Sequence, residues 1–231
     1  MRIAVMQPYL FPYIGYFQLL NAVDKFIVFD DVNFIKKGWI NRNNILVNRQ
    51  KYLFTVPLKD ASQNKLIKEI EIAEGDWQEK FLKTVAQSYK KAEFFDETFA
   101  LIEKIVRSGE SFLAKLILQS LRLLKDALKI NAEIVPSSEI YNNRELKAQD
   151  RILDICKQEN ATKYVNPMGG TELYDRQIFS ENGVKLFFLK TQPFSYRQFG
   201  EEFAPNLSII DVLMFNGFSK TREFLTRFTL E

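Results

Sequence analysis

The sequence predicts an α/β fold built on a mostly parallel sheet. Two apolar runs near the start, Arg2-Ile-Ala-Val-Met6 and Lys25-Phe-Ile-Val-Phe29, are suited to buried strands. Between them, the apolar spacing from Ile14 to Val23 predicts a helix. A strand, a helix and a second strand in this order form a βαβ unit, which crosses over with a right hand in almost every protein. Further along the chain, apolar runs again alternate with helical segments, as this fold class requires.

The other segments justify the rest of the predicted architecture. Apolar runs at 45–47 and 52–56 predict an antiparallel hairpin, and the alternation from Leu66 to Ile72 predicts a half-exposed strand. Residues 76–130 predict a helical insertion or cap, with Asp76 and Ser111 as the expected N-caps. Later strands are expected at 132–135, 163–165 and 184–189, and later helices at 143–160, 175–181, 208–215 and 220–228. No repeat or linker interrupts the chain, so we expect one domain over 1–231, with a Rossmann-like sheet.

The absence of histidine is the sharpest constraint that composition places on function. The 231 residues contain no histidine, which excludes Ser-His-Asp and Cys-His nucleophile pairs and metal sites built on imidazole. Proton transfer would have to use a carboxylate, Lys, Tyr, Cys or the substrate itself. Cys156 is the only cysteine, which excludes an intrachain disulfide and a cysteine-rich metal site. Its helical context predicts a buried, unreactive side chain.

Charge and hydropathy limit the expected partners and location. The chain has 32 Lys and Arg against 29 Asp and Glu, a net charge of +3, and the two signs are mixed, so no nucleic-acid partner is expected. No run approaches the roughly 18 apolar residues of a membrane span. The start MRIAVMQPYL lacks the apolar core of a signal peptide. We therefore expect a cytoplasmic protein without a membrane span.

Side chains suited to ligand binding follow the first two predicted strands. Ligands of open parallel sheets bind beyond the carboxyl ends of the strands. Gln7, Tyr13, Gly15 and Tyr16 follow the first strand, where the tyrosines are expected to shape a pocket and Gly15 permits an anion to approach the helix start. Asp30-Asp31 follows the second strand and could bind a metal, accept sugar hydroxyl groups or share a proton. The alternatives are a rigid structural loop with core aromatics and a solvated loop or helix cap.

A polar stretch comes next, with cations, an amide and an indole ring at Lys36, Trp39, Arg42 and Asn43. This combination suits a phosphate or a sugar with an apolar face, and the alternative is the ordinary polar start of a hairpin. We expect Lys36 and Arg42 to hold phosphate and Asp31 to act as a general base or a metal ligand. Asp31 and Lys36 are therefore the predicted catalytic residues.

Two later segments complete the candidate binding residues. Gly169-Gly170, followed by Tyr174, lies between a short strand and a helix, where backbone N–H groups could cradle an anion. The segment has neither a GxGxxG pattern nor a P-loop lysine, and a plain turn is the alternative. Ser208 and Asp211 have the spacing of an N-cap and a favourable acid in the first turn, and we count them among the candidate substrate-binding residues. No residue set is predicted as a dedicated metal site.

Four stretches of the chain resemble the WbqC-like protein family. They are MQPYLFPYIGYF at 6–17, DDVNF at 30–34 followed by Lys36, Trp39, Arg42 and Asn43, Tyr164 with Gly169-Gly170 and Tyr174, and FAPNLSIID at 203–211 ending in Asn216-Gly217. The resemblance implies a bacterial transferase of O-antigen or related surface-polysaccharide biosynthesis that acts on an activated sugar. A non-catalytic nucleotide-sugar-binding or scaffold protein of the same pathway is the alternative. The ligand would be a phosphorylated or nucleotide-linked sugar, with Mg²⁺ if it is a nucleotide.

A second resemblance concerns the fold. Tyr13-Ile-Gly-Tyr16 stands where HIGH-motif nucleotidylyltransferases have His-x-Gly-His, so the front of the chain is similar to that of nucleotidylyltransferases. Tyrosine hydroxyls can bind phosphate but carry no positive charge, so Lys36 and Arg42 would have to supply it. Arg197 fills a position where many WbqC-like proteins have proline, and some have histidine nearby. A mechanism that depends on histidine does not apply to this chain.

Overall fold

The computed structural model describes residues 1–231 and shows a mixed α/β fold. Its strands are β1 (Arg2–Met6), β2 (Lys25–Val28), β3 (Arg42–Val47), β4 (Gln50–Thr55), β5 (Leu58–Lys59), β6 (Glu71–Ile72), β7 (Glu133–Val135), β8 (Lys163–Pro167), β9 (Lys185–Thr191) and β10 (Phe228–Leu230). Its α-helices are α1 (Ile14–Ala22), α2 (Trp77–Tyr89), α3 (Phe95–Val106), α4 (Leu113–Ala127), α5 (Ala148–Gln158), α6 (Arg176–Glu181) and α7 (Ile209–Phe224). None of these helices is both long and apolar enough to cross a membrane.

Six strands form the central sheet, in the order β10-β9-β8-β1-β2-β7. All neighbours run parallel except β10, which is antiparallel to β9. The chain winds outward from β1 through β2 to β7, then crosses to β8 on the other side of β1 and winds outward again. The mostly parallel sheet predicted from the sequence is confirmed, and its winding direction reverses between β1 and β8.

Both faces of the sheet are covered, because alternate strand residues enter two different apolar cores. Ala4 and Phe26 belong to the larger core of 48 buried residues, which includes side chains of α1–α4 and α7. Ile3 and Ile27 belong to a smaller core of 14 residues, to which α5 and α6 contribute. This alternation is the two-residue period of a strand. Burial on both faces explains why the first two strands read as continuous apolar runs.

The long connection from β2 to β7 carries a hairpin and the helices α2–α4. β3 pairs antiparallel with β4, and the turn is made by Asn48 and Arg49, with φ values of 51° and 64°. Two consecutive residues with positive φ form the turn that matches the twist of a two-residue hairpin. The hairpin prediction is confirmed, and the helices α2–α4 occupy the range in which a helical insertion was expected.

The alternating segment Leu66–Ile72 does not form a strand over its length. Ile67–Glu69 is a 3₁₀ turn, Leu66 makes an isolated bridge with Asn33, and only Glu71–Ile72 forms a strand, which pairs with β5. Ile67 and Ile70 are both fully buried, and a spacing of three residues is the period of a 3₁₀ helix. The segment mixed two periods, and tertiary packing selected the one that buries both isoleucines.

The helix starts agree with the sequence predictions only in part. Asp76 is the N-cap residue of α2, as expected, but its side chain makes no cap hydrogen bond and pairs with Lys80 at 2.9 Å. Ser111 does not cap α4, whose N-cap residue is Phe112. The helix expected from 143 begins only at Ala148.

The two helices expected at the end of the chain are one kinked helix, α7, and the last residues form β10. The kink lies at Gly217, with φ 61°, where an added Cβ would be 2.6 Å from the ring of Phe94. Both the left-handed backbone and the close approach of Phe94 therefore require glycine at this position.

Candidate functional site

The carboxyl ends of the parallel strands bring most of the predicted segments to one edge of the sheet. Gln7 follows β1, Asp30 follows the end of β2, Met168 follows β8 and Gln192 follows β9. Parallel pairing places these strand ends at the same edge. This edge therefore carries the loops from which a ligand site can be built.

The loop 7–13 is held in place by polar side chains that the sequence indicated as ligand-binding residues. The hydroxyl of Tyr16 donates to the backbone carbonyl of Gln7 at 2.9 Å. The carbonyl of Phe11 accepts two hydrogen bonds, from Asn43 Nδ2 at 2.9 Å and from Ser208 Oγ at 2.7 Å. Tyr16 and Ser208 are buried, so their polar groups position the loop rather than face solvent.

Beside this loop lies a cavity of about 350 Å³, which we call the first cavity. It is lined by three aromatic side chains, a proline and two carboxamides: Tyr9, Tyr13, Trp39, Pro12, Asn43 and Asn206. Trp39 is 48% exposed, so its ring is available at the mouth of the cavity. None of the six lining side chains carries a formal charge at neutral pH.

A second cavity of about 320 Å³ adjoins the first, and Tyr13 and Asn206 line both. Its other walls come mainly from the segment after β9, and they are formed by Phe194, Tyr196 and Phe203 together with Pro193, Pro205, Leu207, Val212, Ile14, Thr191 and Gln192. The two cavities form one cleft on the carboxyl side of the sheet, with Tyr13 between them.

Gly15 explains how Tyr13 reaches this dividing position. A Cβ at position 15 would lie 2.3 Å from Cε2 of Tyr13, so the ring can fold back over α1 only because residue 15 is glycine. Burial raises the pKa of Tyr13, and burial together with the charge of Tyr13 raises that of Tyr9. Both hydroxyls are therefore neutral hydrogen-bonding groups near pH 7.

Arg42 and Lys36 differ in their hydrogen bonds within the protein. Arg42 Nε donates to the carbonyl of Gly38 at 2.8 Å, and its Nη2 donates to the carbonyl of Lys37. The guanidinium carbon lies 5.9 Å from the Trp39 ring, which places Arg42 beside the mouth of the first cavity. Lys36 is exposed and makes no hydrogen bond or ion pair. Neither residue lines the two cavities.

Asp31 is enclosed in a buried ion pair. Arg151 Nη2 lies 2.7 and 2.6 Å from its two carboxylate oxygens, and Ser138 Oγ donates to the same carboxylate. The side chains of Asp31 and Arg151 are 0% and 5% exposed. Arg151 also donates to Asn143 at 2.9 Å and lies over the Phe29 ring. These contacts give Asp31 a structural role as the partner of Arg151. Its catalytic role stays a prediction, and Asp31 does not line either cavity.

Asp30 is buried next to Asp31 but binds a different partner. Its carboxylate accepts from Ser137 Oγ at 2.6 Å. Burial raises the pKa of Asp30, the bond from Ser137 opposes that shift, and the neighbouring Asp31 charge adds to it. The two carboxylates fasten the segment after β7 to the end of β2, outside both cavities.

Gly169 and Gly170 lie in a 3₁₀ turn, Met168–Leu173, on a different part of the same edge. A Cβ on Gly170 would be 1.8 Å from Nδ2 of Asn166, so the Asn166 side chain would have to shift to admit any larger residue. Tyr174 packs against the rings of Tyr164 and Phe179, with centroids 5.6 and 5.7 Å apart. This segment is not part of the cleft beside Tyr13.

Asp211 lies directly behind the second cavity at the start of α7. It is fully buried and accepts hydrogen bonds from Tyr89 at 2.8 Å, Tyr196 at 2.7 Å and Gln198 at 2.6 Å. Burial raises the pKa of Asp211, and these three bonds oppose the shift. Ser208 caps the same helix by accepting from the backbone of Ile210, as the sequence predicted.

The structure therefore brings together one subset of the predicted residues. Tyr13, Trp39 and Asn43 line the cleft. Tyr16, Ser208 and Asp211 do not line it, but their hydrogen bonds hold its walls in position. Asn206 and Tyr196 line the cleft but were not assigned a role from the sequence. The pair Pro205-Asn206 is a local turn signal, but nothing in the sequence indicated that it would lie opposite the loop after β1.

No group of three or more Asp, Glu or Cys side chains that could hold a metal ion is present in the protein.

Comparison with known proteins identifies the family. The model of the WbqC-like protein family matches residues 7–223, which is nearly the whole chain. The chain belongs to the WbqC-like protein family. This WbqC-like protein is 27% identical over 230 residues to the "Uncharacterized protein Rv1507c" of Mycobacterium tuberculosis (strain ATCC 25618 / H37Rv), covering 97% of each chain. No solved structure matches it significantly.

Proposed function

We propose that this WbqC-like protein binds an activated sugar in the cleft beside Tyr13 and transfers a group to it or modifies it, as a step in bacterial surface-polysaccharide assembly. The first cavity carries the proposal, because three aromatic rings and two carboxamides surround an uncharged space. Sugar rings present C–H faces that pack on aromatic rings, and their hydroxyl groups bond to amides. A few polar groups in a mostly apolar cavity fix the orientation of such a ligand.

The position of the cleft supports the same proposal. Counted in chain order, the strands of the central sheet read 3-2-1-4-5-6 from β7 to β10. This order is that of Rossmann-type sheets, in which nucleotides bind beyond the carboxyl ends of the strands near the point where the winding reverses. The loop after β1 and the segment after β9 form the cleft at this edge. The arrangement favours a Rossmann-like interpretation of the fold and a ligand that contains a nucleotide.

Arg42 is the cation best placed to meet a phosphate of that ligand. Its Nη1 makes no hydrogen bond within the protein, while Nε and Nη2 hold the turn at 37–38. A phosphate at the rim beside Trp39 would gain a charge-assisted bond to this free nitrogen. We propose phosphate binding by Arg42, with the exposed Lys36 nearby in the sequence, and any Mg²⁺ would accompany the nucleotide phosphates.

Binding without catalysis is the second candidate function, and one observation favours it. No carboxylate, lysine or cysteine lines either cavity, and the buried Asp31 is held by Arg151. A nucleotide-sugar-binding or scaffold protein of the same pathway needs the cleft but no proton-transfer group.

The two tryptophans allow a direct test of ligand binding. Trp39 lies in the first cavity, and Trp77 lies in a separate groove between β4 and α2. In the Trp77→Phe variant, Trp39 fluorescence should change saturably with UDP-glucose, UDP-N-acetylglucosamine or GDP-mannose. The matched variant Trp39→Phe, which keeps only Trp77, should show no change.

Mass spectrometry after incubation with the ligands that bind, in cell extract as a source of co-substrate, then separates the two candidates. Conversion of the bound sugar supports a transferase or modifying enzyme, and binding without conversion supports the scaffold function. If no nucleotide-linked sugar, sugar phosphate or methyl glycoside changes Trp39 fluorescence, both functions are wrong.

A further inference from the structure

We propose that the second cavity binds the nucleobase of a nucleotide-linked sugar, against a wall that Asp211 holds in position. The inference rests on the proposed function and assigns one part of the ligand to each cavity. The sugar ring lies in the first cavity, and the base lies in the second.

The chemistry of the second cavity suits a flat, uncharged ring. Its walls include the rings of Phe194, Tyr196 and Phe203, and no charged side chain lines it. Tyr196 and Phe203 meet at 76° with centroids 5.0 Å apart, so the wall offers both a ring face and a ring edge. Any nucleobase can stack on such a ring face, because every base has a π-face. The Gln192 side chain supplies a donor and an acceptor for the edge of a base, and the Thr191 hydroxyl, which donates to Gln18 at 2.7 Å, can accept a hydrogen bond.

The separation of the cavities matches a ligand with two ring systems. Tyr13 and Asn206 line both cavities and form the wall between them. A monosaccharide would need only one of these spaces. A nucleotide-linked sugar has two rings joined by a flexible linker and can occupy both sides of Tyr13.

The wall of the second cavity is fastened almost entirely through side chains. Between the amides of Gln192 and Ser208, the segment 193–207 has no helix or strand and makes no backbone–backbone hydrogen bond. Tyr196 and Gln198 donate to Asp211, and Gln198 also bonds to the backbone of Ala204 in both directions. The buried carboxylate of Asp211 therefore anchors this segment to the rest of the protein through two hydrogen bonds, from Tyr196 and from Gln198.

The directions of these hydrogen bonds are fixed by the neighbouring groups. The Tyr89 hydroxyl accepts the backbone N–H of Leu46, at 2.8 Å, and therefore uses its own proton on Asp211. The Gln198 oxygen accepts the N–H of Ala204, so its amide nitrogen must face Asp211. Asp211 thus receives three donors and has no cationic partner. An amide at position 211 would set an N–H group against one of these donors, which makes Asp211 a positioning residue for the wall.

Paired variants test which cavity takes which ring. Dissociation constants would be measured by calorimetry for uridine and guanosine, for methyl glycosides, and for UDP-glucose and GDP-mannose. Phe203→Ala should weaken nucleoside binding about tenfold, the loss of one base–aromatic stack, and leave glycoside binding unchanged. Trp39→Ala should do the reverse. Phe199→Ala is the matched control, because Phe199 is in the same segment but packs on Phe215 and does not line the cavity.

The role of Asp211 needs a readout that separates positioning from folding. Asp211→Asn should weaken nucleoside binding about fivefold, leave glycoside binding unchanged, and speed hydrogen exchange of the Ala204 amide, which donates to Gln198 Oε1. If this variant does not fold, Tyr196→Phe removes one donor, keeps the ring, and should show the same faster exchange. Unchanged exchange and affinity in either folded variant would overturn the role of Asp211.

The outcomes distinguish this inference from the proposed function. Binding of glycosides or nucleotide-linked sugars without any contribution from the base overturns the inference and leaves the proposed function standing. Equal effects of Phe203→Ala and Trp39→Ala on nucleosides also overturn it. Absence of binding by every probe contradicts both proposals.

Discussion

Removing the positive charge from the buried Asp31–Arg151 pair should destabilise the protein strongly. In Arg151→Met, Asp31 keeps a 0% exposed carboxylate, but its counter-charge is lost. Breaking a buried pair by removing one partner costs about 3–5 kcal/mol, because the remaining charge is left uncompensated. Since about 1 kcal/mol shifts the melting temperature of a domain of this size by about 2–4 °C, we expect a decrease of about 6–20 °C.

Urea unfolding followed by circular dichroism measures this loss. The double variant Asp31→Asn/Arg151→Met should recover part of the lost free energy, because it removes the unpaired charge. Arg107→Met is the control: its ion pairs with Glu79 and Glu103 are exposed, and the loss should be far smaller. If Arg151→Met is as stable as the wild type, or if Asp31→Asn keeps full stability and loses ligand conversion, the structural assignment of Asp31 is wrong.

Three further predictions concern single side chains. Because the pKa of Asp211 is raised in the folded state, its contribution to stability is complete below the unfolded pKa and is lost as the pH rises through the folded pKa. The free energy of unfolding of the wild type relative to Asp211→Asn, measured by urea titration, should therefore fall as the pH rises above about 4, and a rise would contradict the sign. Gly15→Ala should displace the Tyr13 ring and weaken nucleotide-sugar binding. The melting temperature should stay within a few degrees of the wild-type value, because alanine favours the helix. Unchanged affinity would show that Tyr13 does not divide the cavities. Burial raises the pKa of the Cys156 thiol to about 12, so it should react with Ellman's reagent only after unfolding, and rapid labelling of the native protein would refute its burial.

The sequence predicted the parts of the fold that depend on local pattern. The strands β1 and β2 are apolar on both faces, and the hairpin has a polar turn between two apolar runs, so each pattern had one favourable structure. The predictions for Leu66–Ile72 and for the end of the chain were wrong for a physical reason. Their patterns fitted two structures, and contacts with distant elements, such as Phe94 against Gly217, selected between them.

The candidate site shows the same limit more clearly. The sequence indicated the loop after β1, Trp39 and Asn43 because their residue types suit a sugar and they follow predicted strands. It did not indicate that Asp31 pairs with Arg151, which lies 120 positions away, or that Asp211 binds Tyr89, 122 positions away. Asp31 was predicted to be catalytic because two adjacent carboxylates at a strand end could bind a metal, accept sugar hydroxyl groups or share a proton. Its buried partner is a property of the fold that spacing along the chain does not reveal.

The most direct test of ligand binding in the cleft is a crystal structure of the protein soaked with a nucleotide-linked sugar that changes Trp39 fluorescence. We expect electron density on both sides of Tyr13, with the sugar ring against Trp39 and the base against Phe203. Density beside Asp31 and Lys36, or at the Gly169-Gly170 turn, with an empty cleft at Tyr13 would contradict it.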